Sequence, residues 1–220
     1  MGGGTLDADE SLAVSGALTQ SGNITIDVAD NKTLTYSGAA VEIGEYTLNV
    51  IGGGILNNNN ALVLASGGSK LLLDSTTLNK ASTSSGSLGL DVNANSTVTS
   101  LSVGHTTPVS IAANKTLSGA ISVSAGSLKL NETGTLASTI AMSGGTLDAD
   151  ESSTVSGALS HTADITIDVA DNKTLTYSGA AISLGANTLT LRGGGSLVSG
   201  GLTLNNANSK LLLNSITLDN

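Results

Sequence analysis

At 220 residues the chain is long enough for one or two ordinary domains, yet it has no Phe, Trp or Cys, one Pro (Pro108) and three Tyr. This excludes a disulfide framework and a wide aromatic-filled core; a core of Leu, Ile, Val and Ala must be narrow or built from thin repeated layers. A net charge of −9 with only 8 Lys and Arg excludes the basic footprint of a nucleic-acid binder, and no apolar run reaches transmembrane length.

The chain opens MGGGTLDADE without a signal-peptide pattern, which reads as a targeting segment already removed or as a piece of a longer protein. From there, apolar residues two apart, separated by Thr, Ser or Asp, predict short strands with one buried face. The first rung has Leu6/Ala8 and Val14. Then come Ile26/Val28, Leu34 and Val41/Ile43, followed by Leu48/Val50, Leu56 and Leu62/Leu64. Leu71/Leu73 and Leu78 follow, but the stretch Lys80–Ser87 puts Ser, Thr and Gly where a third apolar pair belongs, so a loop-out or a thinner core is expected there. The series resumes with Leu88/Leu90, Val98 and Leu101/Val103, then Val109/Ile111, Leu117 and Ile121/Val123, then Leu128/Leu130, Leu136 and Ile140/Met142. It closes with Leu147/Ala149 and Val155, Ile167/Val169, Leu175 and Ile182/Leu184, Leu189/Leu191, Leu197 and Leu202/Leu204, and finally Leu211/Leu213 and Leu218. Gly, Asn, Asp and Ser clusters between these runs supply turns. The single anchors recur every 19 to 22 residues, which predicts about eleven rungs of three short strands each. One such rung cannot bury its own apolar face, but stacked rungs share a continuous core.

A longer period lies over the short one. The segment ITIDVADNKTLTYSGAA at 24–40 returns unchanged at 165–181, an offset of 141 residues that slips to 140 after the Gly52–Gly54 and Gly193–Gly195 runs. Residues 1–220 therefore read as one continuous solenoid, with a first long repeat at 1–141 and a partial second copy at 142–220.

Few side chains offer chemistry. The acids Asp7, Asp9 and Glu10 return as Asp148, Asp150 and Glu151, and Asp27 and Asp30 return as Asp168 and Asp171. Calcium favours such oxygen-rich sets, but the GGxGxD spacing of the nonapeptide calcium repeat is absent, and turn-forming acids at rung corners explain them. Paired acids also occur in glycosidases and lyases. Here the supporting cations are sparse, since Arg192 stands where the first copy has Ile51, and His161 where it has Gln20; the other His is His105. The motif Asn-Lys-Thr-Leu recurs at 31–34, 114–117 and 172–175, and Lys70 and Lys210 mark another corner. Either a ligand stripe or a turn guarded by Lys against unwanted strand pairing fits them, and the turn is favoured. Thr25, Thr35, Thr47, Thr166, Thr176, Thr188, Thr190 and Thr203 alternate with apolar residues, but Lys129 and Asp168 fall on the same series, which breaks a regular ice-binding array. The glycine runs lack a following Lys-Ser/Thr and read as tight turns with positive φ; Tyr36 and Tyr177 read as partial corner packing.

Rungs such as TLSGAISVSAGSLKLNETG at 116–134 and TLASTIAMSGGTLDADESS at 135–153 resemble the repeats of large bacterial adhesins of the filamentous-haemagglutinin type and of autotransporter passenger domains. The resemblance covers essentially the whole chain. It implies an all-β, single-stranded, right-handed parallel β-helix, export from a bacterium, and a role in attachment or matrix. It carries over no site motif, so no catalytic, cofactor-binding or metal residue is assigned. The expected function is a non-enzymatic segment of an extracellular adhesin, stalk or fibre at the cell surface. The alternatives are a solenoid that binds ice or glycan and, last, a carbohydrate-active enzyme. Expected partners are other copies, end to end, and a glycan or cell-surface ligand, with neither nucleic acid nor membrane insertion. No amphipathic helix is present at either end to cap the strand edges.

Overall fold

The computed structural model describes residues 1–60, 62–83 and 89–219. Among these residues there are strands and turns and no helix, and every strand pairing is parallel. The protein is a β-solenoid of about ten turns. Its first ladder stacks eleven strands from Gly4–Ala8 to Lys210–Asn214, and its second runs through eleven from Leu12–Val14 to Thr217–Asp219. The third ladder starts at Val41–Ile43 and Leu62–Leu64, then uses the second halves of Thr77–Thr83, Ser96–Val103 and Thr116–Val123. It continues through Thr139–Met142 to Leu159–His161, and Ile182–Ser183 pairs separately with Leu202–Thr203. At roughly 4.8 Å per rung, ten turns make a rod on the order of 50 Å long.

The core is the column of inward residues read from the two-residue period. Leu34, Leu56, Leu78 and Val98 lie in one stacked, buried series, as do Leu128, Leu147 and Ile167 on the first ladder. Three details differ from the sequence pattern. On the first ladder the pair over Leu71/Leu73 is Leu90/Val92, not Leu88/Leu90; Leu88 lies outside the described residues. Leu90 and Val92 face in and Asp91 faces out, so alternation places Asp91 where a Leu88/Leu90 pair leaves it unassigned. The stretch after Lys80 does not loop out through Thr83: Ala81 and Thr83 take the inward positions between Leu62/Leu64 and Leu101/Val103. The core there is thinner, and the remainder, 84–87, lies outside the described residues. Tyr36 and Tyr177 are core residues rather than corner packing. Their hydroxyls stay satisfied, each accepting from a backbone N–H one rung earlier, Leu18 and Leu159, at 3.0 Å.

Register also steps. The strand Ile24–Val28 has three inward residues; Ile26 and Val28 cover Leu6 and Ala8, while Ile24 and Ile26 lie under Leu48 and Val50. The duplicate Ile165–Val169 does the same, with Ile167 and Val169 against Leu147 and Ala149 and Ile165 and Ile167 under Leu189 and Leu191. Thr107–Ile111 repeats the device, so Val109 covers Leu90 but lies under Leu130. Each step is of two residues, which keeps the same face inside.

Corners are specific. In all three Asn-Lys-Thr-Leu turns the Asn is left-handed, with φ of 61° at Asn31 and 60° at Asn114 and Asn172. The following Lys N–H closes the turn onto Ala29, Ala112 or Ala170. Asn tolerates this region better than other non-Gly residues, so turn geometry accounts for the repeated Asn. In the glycine runs only Gly52 and Gly193 have positive φ, 85° and 99°. Their neighbours serve close approach: a Cβ on Gly54 would sit 2.5 Å from the Ala29 carbonyl oxygen, and one on Gly195 2.5 Å from that of Ala170.

The duplicated SKLLL segment isolates what a covering rung contributes. Leu73 is 0% exposed beneath Val92, whereas its equivalent Leu213, on the last rung, is 56% exposed. Leu73→Ala should therefore cost about 2–5 kcal/mol and lower the denaturation midpoint, and Leu213→Ala should shift it little. Chemical denaturation followed by far-UV circular dichroism checks the pair; equal shifts would refute the coverage account.

Candidate functional site

The densest set of charged side chains lies on the outward face of the first ladder. Register stacks Lys129, Asp148, Asp168 and Arg192 on four successive rungs. Lys129 Nζ lies 2.7 Å from Asp150 and 3.7 Å from Asp148, and Arg192 Nε donates to Asp168 at 2.7 Å. Burial pushes the Asp148 carboxyl above its ordinary value of 3.8; the Lys129 charge opposes this, while Asp150 and Asp168 add to it. The hydrogen bond to Asp150 holds Lys129 above 10.5. The column thus neutralises itself, and its cations are committed to carboxylates of the same face. In the first copy Asp7 and Asp27 stack in the same way, but Ile51 stands where Arg192 follows Asp168.

The other candidates disperse. Lys32 pairs with Glu10 and Lys173 with Glu151, each at 2.5 Å and each joining a corner to the rung before it. Lys70 pairs with Asp91 on the following rung at 2.5 Å. Among the described residues no three or more His, Asp or Glu side chains converge as a metal-binding group. His105 is exposed at a corner. His161 takes an inward position over Met142, with Nδ1 2.9 Å from the Ala163 carbonyl oxygen. Its Nε2 is buried without a hydrogen-bond partner, and so is Oε1 of Gln20, which holds the same place in the first copy. Ser122, Ala141, Ser160 and His161 line a shallow groove of about 170 Å³ beside it. Among the described residues neither His is paired with a carboxylate, and Arg192 is paired with Asp168 on another ladder.

Thr residues are better ordered than the sequence suggests, on a different ladder. Thr190 lies over Thr166, and Arg192 over Asp168, because of the register step at Ile165–Val169. The first ladder is still interrupted by the charged column. On the second ladder, however, Thr116, Thr135, Thr154 and Thr176 stack on four successive rungs before Val198 ends the run. Counting along the sequence misses this column because the rungs that carry it differ in length. One interior polar group was also hidden: Asn58 is fully buried on the second ladder, with its amide donating to the Asn60 and Lys80 carbonyls at 2.7 and 2.8 Å and accepting from Lys80 N–H.

No family model, no curated protein and no solved structure matches the chain.

The raised Asp148 carboxyl gives a pH test. Between 3.8 and its higher folded value, the folded state holds a proton that the unfolded state has released. Stability therefore falls as pH rises through that window, and the penalty is absent below 3.8. Asp148→Asn should remove this fall and leave stability at neutral pH equal or higher. Thermal midpoints recorded across the acid range decide it: an Asn variant that is less stable at pH 7, with the parent's pH slope, would contradict the assignment.

Proposed function

We propose that the chain is a non-enzymatic structural segment of a bacterial extracellular adhesin, stalk or fibre. The observation that carries this reading is the uninterrupted eleven-strand ladder on which Lys70, Lys129 and Arg192 pair with carboxylates of neighbouring rungs. A rod of this kind spaces objects apart; its ionic groups serve cohesion between rungs. The likeness of its rungs to filamentous-haemagglutinin and autotransporter-passenger repeats supports a place on the cell surface. Antibodies raised against the 220-residue chain should label intact cells of the source bacterium, and external protease should remove the label. Labelling that requires permeabilised cells would overturn the extracellular reading.

A second reading is favoured by one observation, the in-register Thr116–Thr135–Thr154–Thr176 column. Hydroxyl and methyl groups repeated at roughly 4.8 Å could organise water or dock on a regular glycan. The column is one residue wide and four rungs long, flanked by Val198, which is short for a lattice-matching surface. Ice-recrystallisation assays should accordingly show no activity at micromolar protein. Clear inhibition that Thr154→Lys abolishes would put ice binding first.

A further inference from the structure

Six Asn-x-Thr triplets lie along the chain, at Asn23, Asn31, Asn95, Asn114, Asn131 and Asn172, and none has Pro in the middle. Such a triplet is the acceptor motif for N-glycosyl transfer. The structure divides the six into two sets. In the first set, Asn31, Asn114 and Asn172, the Asn is exposed at a left-handed corner, and among the described residues its side chain makes no hydrogen bond. The hydroxyls of Thr33, Thr116 and Thr174, two residues on, are equally uncommitted. The backbone N–H of each of these Thr is held by the rung before it, donating to Ser11, Asn95 or Ser152. Each triplet is therefore a fixed turn whose amide and hydroxyl are both unengaged.

The second set is already in use. Asn23 Oδ1 accepts from Thr47 N–H and Asn95 Oδ1 from Thr116 N–H, each at 2.9 Å and each from the following rung. Thr25 Oγ1 accepts from the Asn49 amide at 3.3 Å, and Asn131 Oδ1 is buried. A carboxamide tied across two rungs cannot swing its nitrogen out to a sugar donor without leaving a backbone N–H unpaired. Turn geometry does not by itself demand the first set. It asks for a residue that tolerates positive φ, and Ser75 meets that need at the same corner of another rung, with φ of 56°.

We propose that Asn31, Asn114 and Asn172 are N-glycosylation sites and that Asn23, Asn95 and Asn131 are not. The donor is a sugar activated as its diphosphate ester, brought by a glycosyltransferase that reads the Asn-x-Thr motif. The Asn Nδ2 forms a bond to the anomeric carbon, the bond from that carbon to the diphosphate oxygen breaks, and Nδ2 gives up one proton; nothing is oxidised or reduced. The three acceptors follow the second, sixth and ninth strands of the first ladder, all at the corner that leads into the second. They stand roughly 19 and 14 Å apart along the rod. The sugars thus line one edge of the rod and leave both ladders uncovered. The assignment rests on the corners alone and holds for a chain modified inside the cell or during export, so it is tested separately from the extracellular reading.

Peptide mass spectrometry of the protein isolated from its source cells tests the assignment. Glycosyl mass should be found at Asn31, Asn114 and Asn172, with occupancy at least about fivefold above that at Asn23, Asn95 and Asn131. Thr33→Ala, Thr116→Ala and Thr174→Ala leave the turn Asn in place. Each should remove one glycosyl addition from the intact mass while circular dichroism stays unchanged, and the corresponding Ser variants should keep it. An unmodified intact mass, comparable occupancy at Asn23, Asn95 or Asn131, or additions that survive the Ala changes would each overturn the proposal.

Discussion

Every buried side chain in this protein depends on being covered by the same position one rung away. A strand here presents alternate residues to the interior, and the interior is one side chain deep in each rung, so no residue reaches far enough to complete its own burial. The aliphatic composition follows from this. A layer roughly 4.8 Å thick is filled by Leu, Ile or Val lying flat, and an aromatic ring enters it at Tyr36 and Tyr177, with its hydroxyl tied to the neighbouring rung. The same dependence organises the outside. Lys129, Asp148, Asp168 and Arg192 compensate one another because stacking brings residues some twenty positions apart into register.

Much of this is legible in the sequence because period and face are local properties. The spacing of Leu71 and Leu73, or Leu147 and Ala149, identifies the strand and its inward side without knowledge of its neighbours. The inward roles of Ala81 and Thr83 are not legible in the same way, since neither looks like a core residue; only the flanking pairs Leu62/Leu64 and Leu101/Val103 define the place they fill. Nor does the sequence show which outward residues meet. That depends on register, and register steps wherever a strand has three inward residues. The step at Ile165–Val169 gives Asp168 to Arg192 and lifts Thr190 onto Thr166. The four-residue Thr column is illegible because its rungs differ in length, its members being separated by 19, 19 and 22 residues.

The two long copies act as an internal control on function. Residues that shape the backbone are kept in both, as with Asn31 and Asn172 in left-handed turns and Gly54 and Gly195 against a carbonyl oxygen one rung earlier. The candidate acids and Lys32 are kept as well, whereas Arg192 answers Ile51 and His161 answers Gln20.

The two-residue steps have a mechanical meaning. A lateral slip of one residue would turn a whole strand inside out, while a slip of two moves it sideways by roughly 6.6 Å and leaves its apolar face where it was. The solenoid can therefore change the length of a turn, as between Ile24 and Leu48, by advancing a strand along its own axis in even increments. Strands such as Ile24–Val28 and Thr107–Ile111 work as splices, joining two straight stacks whose axes are offset. An array built from this long repeat would carry such offsets at fixed intervals. Two inward pairs are kept on either side of each splice, so the core runs across the offset as continuously as it does along a straight stack.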